Sequence, residues 1–144
     1  MMPDFNRFFA AYTDAYNRSL GDRVDHDAIV ASFADCFVAA WPGGVNCGKN
    51  DDSFRAALEQ GFAFYKSIGT RKMSVRHIEV TPIDVQHHMA KVHYRADYEK
   101  RGGEAVSIDF DLTYLLQIRD GVSRIFAFVT GDEMDAYRRH GLVE

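Results

Sequence analysis

The chain lacks most of what ties a protein to a membrane, a nucleic acid or an oxidising compartment. It has only two cysteines, Cys36 and Cys47, and no Cys-x-x-Cys pair. A reduced, cytoplasmic protein is the simplest reading, and nothing argues for a Cys36–Cys47 disulfide. No apolar run approaches the roughly 20 residues needed to cross a bilayer, so no membrane association is expected. The start, Met-Met-Pro-Asp-Phe-Asn-Arg, has neither the charged n-region nor the apolar h-region of a secretory leader. Lys and Arg number 17 against 21 Asp and Glu, and the two signs are interspersed. With no basic run, nucleic acid is not an expected partner. Internal repeats, linkers and low-complexity segments are also missing.

What is present is apolar and aromatic. Hydrophobic residues make up 47% of the 144 residues, with 11 Phe, 7 Tyr and one Trp. That length and content suit one domain, residues 1–144, with a sizeable core.

The order of patterns predicts an α+β fold. Pro3-Asp4 opens a first helix with Asp4 as N-cap, and Phe5, Phe8, Phe9, Tyr12, Tyr16 and Leu20 form one face up to Gly21. Asp25 caps a shorter helix carrying Ile29, Val30 and Phe33. Phe37–Ala40 reads as a short strand, stopped by Trp41-Pro42-Gly43-Gly44. Asn50–Asp52 cap a third helix, which buries Phe54, Leu58, Phe62, Tyr65 and Ile68 and ends at Gly69. The period then changes to two. Strands are predicted over Met73–Thr81, His88–Tyr98, Val106–Ile118 and Ser123–Thr130. Their short links require antiparallel neighbours. A last helix starts at Gly131-Asp132-Glu133 and closes at Gly141.

Register gives the strongest chemical grouping. Lys91, His93, Arg95 and Asp97 alternate with apolar residues, as do Asp109, Asp111 and Thr113 on the next strand. A hairpin loop with an odd number of residues around Gly102-Gly103 puts like faces together. Arg95 then lies near Asp109 or Asp111, and His93 near Asp111 or Thr113. From the pattern alone, this reads as a solvent-facing stripe of cross-strand ion pairs.

Other motifs yield to plainer readings. Gly43–Asn50 nearly matches the phosphate loop G-x-x-x-x-G-K-[ST], but Asn50 replaces the hydroxyl that holds Mg²⁺, and no βα units follow. A glycine-rich connector is the better account. His87 and His88 are neighbours on a strand and point to opposite faces. With no H-E-x-x-H spacing, no metal site is expected. No nucleophile elbow surrounds any serine. The aromatic helix faces read as core that could also wall a pocket, with Tyr12, Tyr16 and Tyr65 offering hydroxyls to a ligand.

These residues resemble the NTF2-like superfamily. The resemblance rests on Phe33-Ala34-Asp35 after two helices, the connector Pro42–Gly48, and Asp120-Gly121 followed by Ser123-Arg124-Ile125. It runs from about Phe5 to Leu142, and its short motifs are similar to the SnoaL-like and ketosteroid-isomerase-like branches. It implies a cone: three N-terminal helices packed in a strongly curved antiparallel sheet, with a short C-terminal helix. It also implies a deep apolar pocket, a homodimer paired through the sheet, and a small hydrophobic ligand without a cofactor.

For the isomerase branch the resemblance implies a carboxylate before the connector proline, where this chain has Trp41, and a strand acid at Thr113. It also places Asp111 and Thr113, with Phe126, Phe128 and Thr130, on the pocket side of the sheet, against the solvent-facing reading. Asp111 then becomes the expected general base, with His93, Arg95 and Tyr16 assisting. Tyr12, Trp41, Tyr65, Asp109, Thr113, Phe126, Phe128 and Thr130 are the expected ligand contacts. Three functions follow as alternatives. One is cofactor-independent acid/base catalysis of isomerase, dehydratase or cyclase type. The second is a pocket that binds without chemistry. The third is a protein-interaction module.

Overall fold

A computed structural model describes residues 4–144; Pro3 lies outside them. The element order is α1 (Phe5–Ser19), α2 (His26–Ala31), β1 (Phe33–Trp41), β2 (Gly44–Lys49), α3 (Asp52–Ser67), β3 (Thr70–Pro82), β4 (His87–Glu99), β5 (Ala105–Arg119), β6 (Val122–Thr130) and α4 (Glu133–Arg139). One curled, unclosed sheet of six strands, in the order β2-β1-β6-β5-β4-β3, wraps α1 and α3.

Each helix begins where an aspartate accepts from its first turn. Asp4 accepts from the Arg7 N–H at 3.0 Å, Asp25 from Ala28 at 3.3 Å, Asp51 from Ser53 at 2.9 Å and Asp132 from Asp135 at 2.9 Å. These bonds satisfy amide groups that have no partner within the helix. Gly69 and Gly141 follow α3 and α4 with φ of 87° and 74°, as their place at a helix end predicts. Gly21 differs: α1 closes through a right-handed Leu20, and Gly21 does not take positive φ.

Two expectations about the first half are corrected. The segment after Pro42 is not an irregular connector. Its residues Gly44–Lys49 form β2, an antiparallel edge strand running from Trp41↔Gly44 to Cys36↔Lys49. The first strand is also longer than Phe37–Ala40, because Phe33 already pairs with Ile125 of β6. That β1–β6 pair is parallel, the exception in an otherwise antiparallel sheet. Glycine depressed the strand signal of β2. Gly48 is nonetheless needed there, since a Cβ would lie 2.7 Å from the Phe37 ring.

The hairpin parity holds. β4 and β5 are joined by the five residues Lys100–Glu104, and His93 faces Asp111 while Arg95 faces Asp109. Side chains therefore divide cleanly. His88, Ala90, Val92, Tyr94, Ala96 and Tyr98 of β4 are all buried on the concave face, with Ile108, Tyr114 and Leu116 of β5. Phe9, Val92, Tyr94, Leu116 and Ile125 anchor the main core. α1 is also pinned to the edge strand: Asn17 donates to the Met73 carbonyl at 2.9 Å and accepts from its N–H at 2.8 Å.

Candidate functional site

The helices do not fill the concave side of the sheet. They leave a cavity of about 730 Å³, within the size range of small-molecule sites. Every tyrosine of the chain lines it. α1 contributes Tyr12 and Tyr16, one turn apart, and α3 contributes Tyr65. Tyr94 and Tyr98 come from β4, Tyr114 from β5 and Tyr137 from α4. The short side chain of Ala96, between the two β4 tyrosines, helps keep the space open.

Two of the hydroxyls are paired with one another: the Tyr94 and Tyr114 oxygens lie 2.8 Å apart. The Tyr98 and Tyr137 rings meet edge-on at 6.2 Å. Among the described residues, no side chain hydrogen-bonds to the hydroxyls of Tyr12, Tyr16 or Tyr65. Burial pushes the Tyr12 phenol up to about 12, with the Glu133 charge adding to the effect. Tyr16, Tyr65 and Tyr114 are raised further, again first by burial. At neutral pH these phenols are uncharged donors.

One carboxylate stands among them. Glu133 is the first residue of α4, directly after the cap Asp132. Ala136, Tyr137 and His140 also line the cavity, so the helix turns one i, i+3, i+4, i+7 face inward. Burial raises the Glu133 carboxyl above its usual range, and among the described residues no hydrogen bond or ion pair opposes the shift. The Glu133 charge in turn opposes ionisation of Tyr12, Tyr16, Tyr65, Tyr98, Tyr114 and Tyr137.

With this geometry in place, likeness to known proteins becomes informative. A family model described as NTF2-like protein (DUF6841) matches residues 3–133. The chain belongs to this NTF2-like family. Solved structures agree on the fold. An NTF2-like protein with a cystatin-like fold from Novosphingobium aromaticivorans is 13% identical, with 97% of this chain and 86% of that one covered at a TM-score of 0.69. A ketosteroid isomerase-like protein from Erwinia carotovora atroseptica is 18% identical, with 88% and 91% covered and a TM-score of 0.61. An NTF2-like protein of unknown function from Shewanella oneidensis is 17% identical, with 89% and 96% covered at 0.65. At these identities the likeness shows the fold alone. No protein of curated function matches the chain.

The NTF2-like cone brings together part of the expected site. Tyr12, Tyr16, Trp41, Tyr65, Phe128 and Thr130 all line the cavity. The cavity-side placement of Asp111 and Thr113 is overturned by register. Phe110, Leu112 and Tyr114 take the concave face of β5, so Asp109, Asp111 and Thr113 point outward. Asp109 and Asp111 border the cavity, but both residues are exposed.

The solvent-facing stripe is what forms instead. Arg95 Nε donates to Asp109 at 2.7 Å, and this bond holds the Asp109 carboxyl below its usual range. His93 Nε2 lies 2.6 Å from Glu79, on the same outer face. His93 and Arg95 therefore do not flank a buried base. Phe126 is displaced too. A bulge between the Leu115 and Leu116 pairings turns it to the outer face, where it packs edge-on to His87 at 6.1 Å. Bulges of this kind break a strict two-residue alternation.

The histidines are also apart. His88 is buried beside Phe5 at 5.4 Å, whereas His87 is held by Asp84 at 2.8 Å. No group of three metal-ligating side chains forms among the described residues. Sequence reasoning missed Glu133, Tyr98 and Tyr137. An acid in the first turn of a helix reads as an ordinary partner of the helix dipole. The available signal was the spacing Glu133, Ala136, Tyr137, His140, which marks one side of α4 as inward.

Proposed function

We propose that this NTF2-like protein binds a small hydrophobic molecule in the tyrosine-lined cavity and performs cofactor-independent acid/base chemistry there, with Glu133 as the proton-transfer group. The observation that carries this reading is the Glu133 carboxylate, unpartnered among the described residues, on the wall of a cavity that every tyrosine also lines. A carboxyl raised toward neutrality can both take and return a proton. The hydroxyls of Tyr12, Tyr16 and Tyr65, free among the described residues, supply donors for a developing oxyanion. Isomerase-, dehydratase- and cyclase-type reactions all use this pairing of one base with neutral donors. A second reading, binding without chemistry, is favoured by Trp41, which stands where the isomerase branch carries its base.

Native mass spectrometry of freshly purified protein, followed by denaturing extraction, tests the pocket and supplies a candidate substrate. Glu133→Gln is then expected to lower turnover of that compound by about a hundredfold or more, with the compound still bound. Unchanged turnover removes Glu133 as the base. Binding with no turnover in the parent protein establishes the second reading.

The same variant has a stability signature. The folded-state carboxyl of Glu133 is raised, so the cost of burying its charge is absent below the ordinary carboxylate pKa and grows as pH rises through the folded value. Glu133→Gln should therefore raise the melting temperature at pH 7 and have little effect at pH 4. A loss of stability at pH 7 would show that the carboxylate is held by groups that compensate it.

We also propose a homodimer through the outer face of the sheet, in the cytoplasm. Val38, Val45 and Val129 are exposed beside half-buried Ala127 and Leu115, an apolar patch at the β1–β6–β5 end. The exposed free thiols of Cys36 and Cys47 suit a reducing compartment. Light scattering on the parent should give twice the chain mass, and Val129→Arg should give the monomer. A monomeric parent removes the dimer.

A further inference from the structure

We infer that the ligand of this cavity is an organic cation: an apolar or aromatic body bearing an ammonium nitrogen, whose charge meets Glu133 and whose substituents lie against tyrosine rings. This rests on the reading of the cavity as a ligand site, and it adds the ligand's charge.

The first argument is charge balance. Glu133 is the lining carboxylate that opens into the cavity without a protein partner. The two basic side chains of the lining are already engaged. Arg139 Nε donates to Asp135 at 2.9 Å, and His140 Nδ1 donates to the Ala136 carbonyl at 2.8 Å. Among the described residues no cation faces Glu133. A neutral ligand that expelled water would leave the carboxylate as an unpaired buried charge or force it to take a proton, and both cost free energy. A cationic ligand removes that cost.

The second argument is the wall. Tyr12, Tyr16, Tyr65, Tyr98 and Tyr137 approach from three helices and a strand, and Trp41 stands at the side. Aromatic faces carry negative quadrupole density, and they attract an ammonium held over several of them, more strongly once it is desolvated. Such a lining adds nothing comparable for a neutral alkyl group. An anion would be repelled by the Glu133 carboxylate. Phenols at the free positions can still bond a hydroxyl or carbonyl elsewhere on the same ligand.

The test uses the intact protein and a matched pair of probes. Benzyltrimethylammonium and neopentylbenzene have the same shape and differ by one charge. Trp41 is the only tryptophan and lines the cavity, so its emission reports binding directly. The cation is expected to bind at least tenfold more tightly than its isostere, about 1.4 kcal/mol. Glu133→Gln should weaken the cation by about tenfold and should bind neopentylbenzene at least as tightly as the parent, because the unpaired charge is gone. Equal or tighter binding of the neutral probe overturns the inference while leaving the pocket reading intact. Cation binding that is indifferent to Glu133→Gln, or no response to either probe, overturns it as well. The pocket reading is then judged separately, by what co-purifies.

Discussion

Gly69→Ala is expected to destabilise the fold by at least about 3 kcal/mol, the upper end for a single substitution. Gly69 closes α3 with φ of 87°, a conformation that costs an L side chain free energy by itself. The larger part is steric. A Cβ built on Gly69 runs into the Glu99 carbonyl oxygen and lies 3.0 Å from its carbon. The backbones cannot simply part, because the Glu99 N–H donates to the Gly69 carbonyl at 2.9 Å, and the β3–β4 register starts one residue later at Thr70↔Tyr98. Gly61 is the internal control. It sits mid-helix in α3 and a Cβ there meets nothing within 4 Å. Gly61→Ala should stabilise by up to about 1 kcal/mol through helix propensity. Urea midpoints for the two variants should therefore move in opposite directions. A Gly69→Ala cost below about 1 kcal/mol would mean that the α3–β3 turn relaxes freely.

The fold was largely written in periodicity, and the site was not. Apolar spacing in α1 and α3 and the alternation in β3 to β6 follow from burial, and burial is what patterns record. Asp25 and Asp132 announced helix starts for the same local reason. β2 was hidden because Gly44-Val45-Asn46-Cys47-Gly48 has no alternation to read, and its pairing with β1 depends on a turn at Pro42-Gly43. Facing is a different kind of information. The pattern alone put Asp109 and Asp111 in solvent, and the register agrees. The family resemblance moved them inward by aligning through the Asp120-Gly121 turn. An alignment across a bulge at Phe126 shifts parity by one residue, which exchanges the two faces of a strand. Glu133 was invisible for a third reason. It is polar, close to a helix cap, and half-buried only because α4 folds back so that Tyr137 meets Phe64 at 6.0 Å and Tyr98 at 6.2 Å. Those contacts are long-range and leave no local mark.

Phe9→Ala should cost about 3–5 kcal/mol, a large fraction of the 5–15 kcal/mol that holds a typical domain together. Phe9 has no exposed surface, and its ring packs on Tyr114 at 4.8 Å and Phe8 at 5.0 Å. Phe5 and Thr13, one turn either side, are also buried, so α1 has no freedom to roll and close the hole. The loss should appear as a lower urea midpoint at unchanged slope. It should also reach the cavity. Tyr114 packs against Phe9 at a tilt and bonds Tyr94 at 2.8 Å; without Phe9 its ring has room to turn and break that pair. The variant is therefore expected to bind benzyltrimethylammonium more weakly, although Phe9 does not line the cavity. Phe9→Leu, which leaves most of the volume in place, should recover most of both losses. If Phe9→Ala lost stability but bound the cation as the parent does, the Tyr94–Tyr114 pair would be passive wall, and recognition would lie with Glu133 and the tyrosines of the helices.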